Sequence, residues 1–172
     1  GIALMIRTAL GLALAAALTT VAIVGVLTTA VALTITDNPR QNATRDAQRL
    51  AALLETSSGE ARAGRRQLAW SARADGYDFL VAEDSMERTA RWLPLSEDET
   101  YRARHLESGV RIGGVKIDGQ PLPPGGLLTF RRGDPPLFCI TLEASKDAAF
   151  RPIDVCGLPT GRVTVRDAVN KE

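Results

Sequence analysis

An uncharged stretch from Thr8 to Ile35 constrains this chain more than any other feature. It holds about 28 residues and would run roughly 42 Å as a helix at about 1.5 Å per residue. A bilayer core is crossed by about 20 apolar residues. The run exceeds one crossing, so the surplus must tilt, or project from the membrane and pack on protein. A cleaved secretory signal is the competing reading, but its apolar region would be only about 7–15 residues long. A retained single-pass anchor is therefore expected. Arg7, on the short N-terminal side, places the N-terminus in the cytoplasm and exports the rest of the chain. Gly11 with Ala15, and Ala16 with Thr20, form small-xxx-small pairs that let membrane helices approach closely. The anchor thus also reads as an assembly helix.

The remainder, residues 37–172, is one domain's worth of chain. Without the anchor it is polar and Arg-rich. The formal net charge of the whole chain is +1, which argues against a strongly electrostatic partner such as duplex DNA. Cys139 and Cys156 fit an oxidising compartment, where a pair forms a disulfide. They fall in two different candidate strands, which pairing would bring together. Two buried, reduced thiols are the alternative.

Asn38-Pro39 predicts a helix start, with Asn38 as cap and Pro39 at the first position, where its missing N–H does no harm. A break or kink from the anchor belongs just before it. Ala43, Ala47, Leu50, Leu54 and Ala61 recur at helical spacing with Leu53 beside them, and Arg45, Arg49 and Glu55 fall between. This is an amphipathic helix over about 39–63, ending near Gly64, whose Leu50, Leu53 and Leu54 should pack on a sheet.

After Gly64 the period shortens. Strands are expected at 68–72, 77–81, 90–95, 110–112, 115–117, 127–130, 137–142, 153–156 and 162–165. Asp75-Gly76 is the strongest hairpin-turn signal, and Asp118-Gly119 and Pro121–Gly126 read as loops. One helix followed by eight or nine short strands implies an α+β fold. The helix would pack on an antiparallel sheet or on a two-sheet β-sandwich, the β-rich part running over about 67–166.

Motifs that carry chemistry are missing. The chain has no Gly-rich phosphate loop, no His-Glu-x-x-His, no Cys-x-x-Cys and no dinucleotide fingerprint. No catalytic residue, cofactor or metal site is assigned. A zinc site around the single histidine, His105, would need Cys139, Cys156 or carboxylates. His105 sits in a candidate surface strand with no serine in a nucleophile elbow. Glu97-Asp98-Glu99 reads as a solvated turn, because the Asp/Asn/Gly spacing of a calcium loop is missing. Arg65-Arg66 and Arg131-Arg132 each lie beside a candidate turn. Solvated charge is the default there, and contact with phosphate or an acidic partner the alternative. Trp70 and Trp92 read as packing residues.

The whole layout resembles the type IV pilin-like proteins, most closely the minor pseudopilin H type of bacterial type II secretion systems. The resemblance runs from the N-terminal hydrophobic helix through Arg45–Leu54 and Glu60–Arg65 into Leu68-Ala69-Trp70. It continues through Asp75–Leu80, Arg91–Leu95 and the terminal Gly157–Val165. It implies a non-enzymatic subunit of a hetero-oligomeric periplasmic fibre, anchored in the inner membrane. Its partners would be other major and minor pseudopilins, with the secreted substrate or the outer-membrane secretin as further contacts and no nucleic acid. The family's mature N-terminus carries a Glu within its first residues, and Gly1–Ile6 holds none. Processing by prepilin peptidase and the usual mode of incorporation are therefore left open. Two other readings stand beside this one: a minor pilin of a type IV pilus, including DNA-uptake versions, and a membrane-tethered periplasmic binding module. The tail Arg162–Glu172 carries three basic residues against two acidic (Arg162, Arg166 and Lys171; Asp167 and Glu172), a poor footprint for DNA.

Overall fold

Asn38 caps the first helix as its local sequence dictates. Its backbone is extended (φ −92°, ψ 102°) and its side-chain oxygen accepts the Arg40 N–H at 3.1 Å. The computed structural model describes residues 38–83, 91–144 and 150–168. The expected anchor, its small-residue pairs at Gly11/Ala15 and Ala16/Thr20, and the kink before Pro39 lie outside those residues. Helix α1 spans Pro39–Arg62. It closes on a Schellman motif, with the Gly64 N–H bonded to the Ala61 carbonyl (3.0 Å) and the Arg65 N–H to that of Glu60 (3.1 Å). Gly64 takes the left-handed φ of +68° that this ending requires. Among the described residues no helix is long and apolar enough to cross a membrane.

Ten strands follow: β1 (Leu68–Arg73), β2 (Gly76–Glu83), β3 (Arg91–Pro94), β4 (Arg104–His105), β5 (Val110–Ile117), β6 (Gln120–Pro121), β7 (Leu128–Phe130), β8 (Phe138–Ala144), β9 (Ile153–Gly157) and β10 (Val163–Asp167). They form two antiparallel sheets. One has the order β3-β2-β1-β7, with β4 also pairing β2, and the other β10-β9-β8-β5-β6. The fold is α+β, one helix packed on antiparallel sheets. The buried stripe Ala43, Ala47, Leu50, Leu54 and Ala61 joins the core, and α1 lies chiefly on β8, β9 and β10. Leu53 is only partly buried at its margin. Phe130 of β7 meets Phe138 of β8 edge-on, 6.2 Å between ring centres, which links the two sheets.

Two local expectations at glycines are corrected, and Pro121, expected in a loop, is the last residue of β6 and pairs with Lys116. The turn between β1 and β2 is Ala74-Asp75, because Gly76 already pairs with Arg73 as the first residue of β2. Gly76 serves a different need: a Cβ there would lie 1.9 Å from the backbone oxygen of Arg104 on β4. The Asp-Gly turn with positive φ at both central residues (50° and 79°) is Asp118-Gly119, between β5 and β6. The two strands expected at 110–112 and 115–117 are one strand, β5, whose register slips between Ile112 and Gly114 in its pairing with β8. That slip is a bulge, and the Gly113-Gly114 break in the apolar pattern marks it.

The roles of these glycines separate in their expected stabilities. Gly76→Ala should cost about 3 kcal/mol or more, because a backbone oxygen cannot swing aside as a side chain can. Gly119→Ala, with open space around it, should cost only the left-handed backbone strain of about 1–2 kcal/mol. Urea unfolding of the two variants orders them. Equal losses would refute the close-approach role of Gly76.

Candidate assembly surface

The last turn of α1 is tied to the loop before β4 by a polar network whose members lie far apart in the sequence. Glu60 sits in that turn and Arg66 follows the Schellman ending. The Arg66 guanidinium donates from Nε to Glu60 Oε2 (2.7 Å) and from Nη1 to Asp98 Oδ2 (3.1 Å). The Tyr101 hydroxyl donates to Glu60 Oε1 at 3.1 Å, and the guanidinium lies 5.1 Å from the Tyr101 ring centre. Asp98 Oδ1 accepts the N–H groups of Thr100 (2.9 Å) and Tyr101 (3.0 Å). The turn at Glu97–Glu99 is therefore not simply solvated, since the Asp98 oxygens are committed to N–H donors. The one hint in the sequence was an Asp two and three residues ahead of Thr100 and Tyr101, an Asx-turn pattern. Burial pushes the Tyr101 hydroxyl up to about 12.

Two carboxyl groups titrate in opposite senses. Burial alone would raise Asp98, but the Tyr101 and Thr100 N–H groups and Arg66 outweigh it and hold Asp98 below 3.8. Its stabilisation is present above 3.8 and fades as pH falls through the lower folded value. Asp46 on α1 is buried, and burial raises it despite the 2.7 Å bond from the Glu107 N–H. Whatever stability Asp46 adds is complete below 3.8 and is lost as pH rises through its raised value. Asp98→Ala should therefore flatten the acid limb of the stability curve. Asp46→Asn, which can still accept the Glu107 N–H, should stabilise the domain at neutral pH and leave it unchanged at low pH. Unfolding midpoints across the acid range check both. A neutral-pH loss in Asp46→Asn would contradict the assignment.

A row of polar contacts fastens α1 to β10 and the loop before it. Arg40 Nη2 bonds both Asp167 oxygens (3.1 and 3.2 Å), Glu55 accepts the Val163 N–H (2.9 Å), and Arg62 donates to the Thr160 carbonyl (2.9 Å). On the second sheet, Cys139 of β8 and Cys156 of β9 are direct cross-strand partners with Cα atoms 4.1 Å apart, and their sulfurs are bonded. Phe138, Ile140 and Leu142 of β8 point into the core, so Cys139 and its partner lie on the opposite face. There Arg166 Nη2 sits 3.6 Å from the Cys156 sulfur.

One member of the second basic pair, Arg132, is brought to the first pair in space. Arg65, Arg66 and Arg132 line one cleft of about 300 Å³ with Ala61, Gly64, Gln67 and Ala82. The remaining sequence candidates stand apart from it. His105 is exposed on β4, with Nδ1 2.9 Å from Asp75 Oδ2 at the hairpin end. Trp70 is fully buried, 6.2 Å from the Tyr77 ring, and Trp92 is half-buried on β3. No group of three or more His, Cys, Asp or Glu residues among those described is arranged to hold a metal.

A helix laid on two antiparallel sheets, with the last described strand β10 strapped to the helix, is an arrangement that this chain shares with minor pseudopilins of known structure. The crystal structure of the minor pseudopilin EpsH from the type II secretion system of Vibrio cholerae superposes with a TM-score of 0.56 at 11% identity, over 78% of this chain and 100% of that one. A second EpsH structure gives a TM-score of 0.52 at 12% identity, over 73% and 97%. At these identities the likeness is one of fold. No protein-family model matches the sequence, and no curated protein does.

Proposed function

We propose that this chain is a minor pseudopilin, a structural subunit near the tip of a type II secretion pseudopilus that supports fibre initiation and protein export across the outer membrane. Residues 1–36 would form the inner-membrane and assembly helix, and residues 37–172 the periplasmic domain that makes lateral contacts. The observation that carries this reading is a fold likeness spanning all of the EpsH chain, on a sequence whose apolar run Thr8–Ile35 directly precedes α1. Such a subunit needs no catalytic centre and no cofactor. Its partners are other major and minor pseudopilins, and the motor is a separate ATPase.

The test is affinity capture of the full chain from membranes of its own cell, under conditions that preserve fibres. Co-recovery of other pseudopilins is the expected result. Recovery as a lone monomer would sink the proposal, and recovery with type IV pilus subunits would move the chain to that machinery.

A further inference from the structure

Charge in the cleft at the end of α1 is unevenly matched. Arg66 is satisfied by Glu60 and Asp98. Among the described residues no carboxylate comes within ion-pairing distance of Arg65 or Arg132. Arg132 is nonetheless placed with some care. A Cβ on Gly64 would lie 3.0 Å from its Nη2 and 3.2 Å from both Cζ and Nε, so the guanidinium lies flat against the glycine. A side chain at position 64 would push the guanidinium out by a few tenths of an ångström, and the glycine itself is required by its left-handed φ of +68°. The glycine that ends the helix also seats the guanidinium.

We propose that this cleft receives an acidic segment of a neighbouring protein subunit, whose carboxylates are taken by Arg65 and Arg132. The identity of that neighbour as a fibre subunit rests on the function proposed above. The chemistry follows from the cleft. Guanidinium groups bind carboxylates through paired N–H donors, and about 300 Å³ accommodates one or two acidic side chains. A membrane phosphate is a poor match, because the apolar run ends at Ile35 and Ala61, the first residue of the cleft in the sequence, follows it 26 positions later. Nucleic acid is a poor match too, because the cleft holds three arginines in a chain of net charge +1.

The test is site-specific photo-crosslinking in the full-length, membrane-embedded chain, with the reactive residue replacing Gln67. Gln67 is exposed in the cleft wall, its backbone oxygen accepts the Ala82 N–H, and among the described residues its side chain makes no hydrogen bond. The expected product joins Gln67 to an Asp- or Glu-containing peptide of another pseudopilin. The double reversal Arg65→Glu/Arg132→Glu should lower its yield by about tenfold or more, since the loss of even one of the two charge pairs is on that scale. The double variant Arg65→Lys/Arg132→Lys keeps the charge and should retain most of the yield. Thermal unfolding of both variants verifies that the fold is intact. If the parent chain recovers no pseudopilins at all, the fibre reading fails. If it does recover them, the docking inference alone is overturned by any of three results: an unchanged yield in the reversal, a crosslinked peptide without carboxylates, or a crosslink to lipid or nucleic acid.

Discussion

Leu50→Ala and Leu54→Ala are each expected to lower the stability of the domain by about 2–5 kcal/mol, the range for truncating a fully enclosed leucine. Both side chains have no exposed surface and belong to the continuous core between α1 and the sheets. Truncation removes the contact area and leaves a void that α1 cannot close by moving. The helix is pinned at its start by Arg40 to Asp167, in its middle by Asp46 to the Glu107 N–H, and at its end by Glu60 to Arg66 and Tyr101. Leu53, at the edge of the same stripe, should lose less than about 1 kcal/mol on truncation, because a partly exposed methyl group leaves no cavity. Total stabilities of such domains lie at about 5–15 kcal/mol. Either core variant should therefore be visibly compromised in urea unfolding, and Leu53→Ala nearly normal. If all three lost equal amounts, α1 would not be seated as described.

What the sequence revealed about α1 and what it hid about the sheets have one physical cause. Asn38-Pro39 and Gly64 act on their own turns, through hydrogen bonds spanning a few residues, so both helix ends were legible. Most strand positions were legible for the same reason, because alternation is local. Errors arose where a residue's role comes from a distant strand. Gly76 followed an aspartate and read as a turn, yet its small size is demanded by Arg104, which reaches it only once β4 pairs with β2. Gly113-Gly114 broke the apolar pattern and split one strand in two, because a bulge is defined by its partner, here β8. The cleft follows the same rule. Arg65-Arg66 and Arg131-Arg132 each read as a charged turn, and only the register of β1 against β7 brings Arg132 to the end of α1. Glu60, Asp98 and Tyr101 had no such local pair to draw attention to them.

Replacing both half-cystines, Cys139→Ser/Cys156→Ser, is expected to destabilise the domain by about 3 kcal/mol without changing its fold. The bond closes a loop with a sequence separation of 17 residues, and opening a loop of that size frees about 3 kcal/mol of chain entropy in the unfolded state. The folded side should change little. β8 and β9 remain paired from Phe138↔Gly157 to Leu142↔Ile153, and the Thr141 hydroxyl donates to Asp154 at 2.7 Å beside the bridge. Ile140, Leu142, Ile153 and Val155 stay buried on the inner face, where the cysteines play no part. Either single replacement should lose as much as the double, because each opens the same loop. The denaturant slope should rise in all three variants, since an uncrosslinked chain exposes more surface when unfolded. Reducing the parent protein before unfolding should reproduce the double variant. A loss well below about 1 kcal/mol, with an unchanged slope, would mean that the two cysteines are not joined in the native protein. A loss of β-sheet circular dichroism before unfolding would instead mean that the second sheet depends on the bridge for its pairing as well as for its stability.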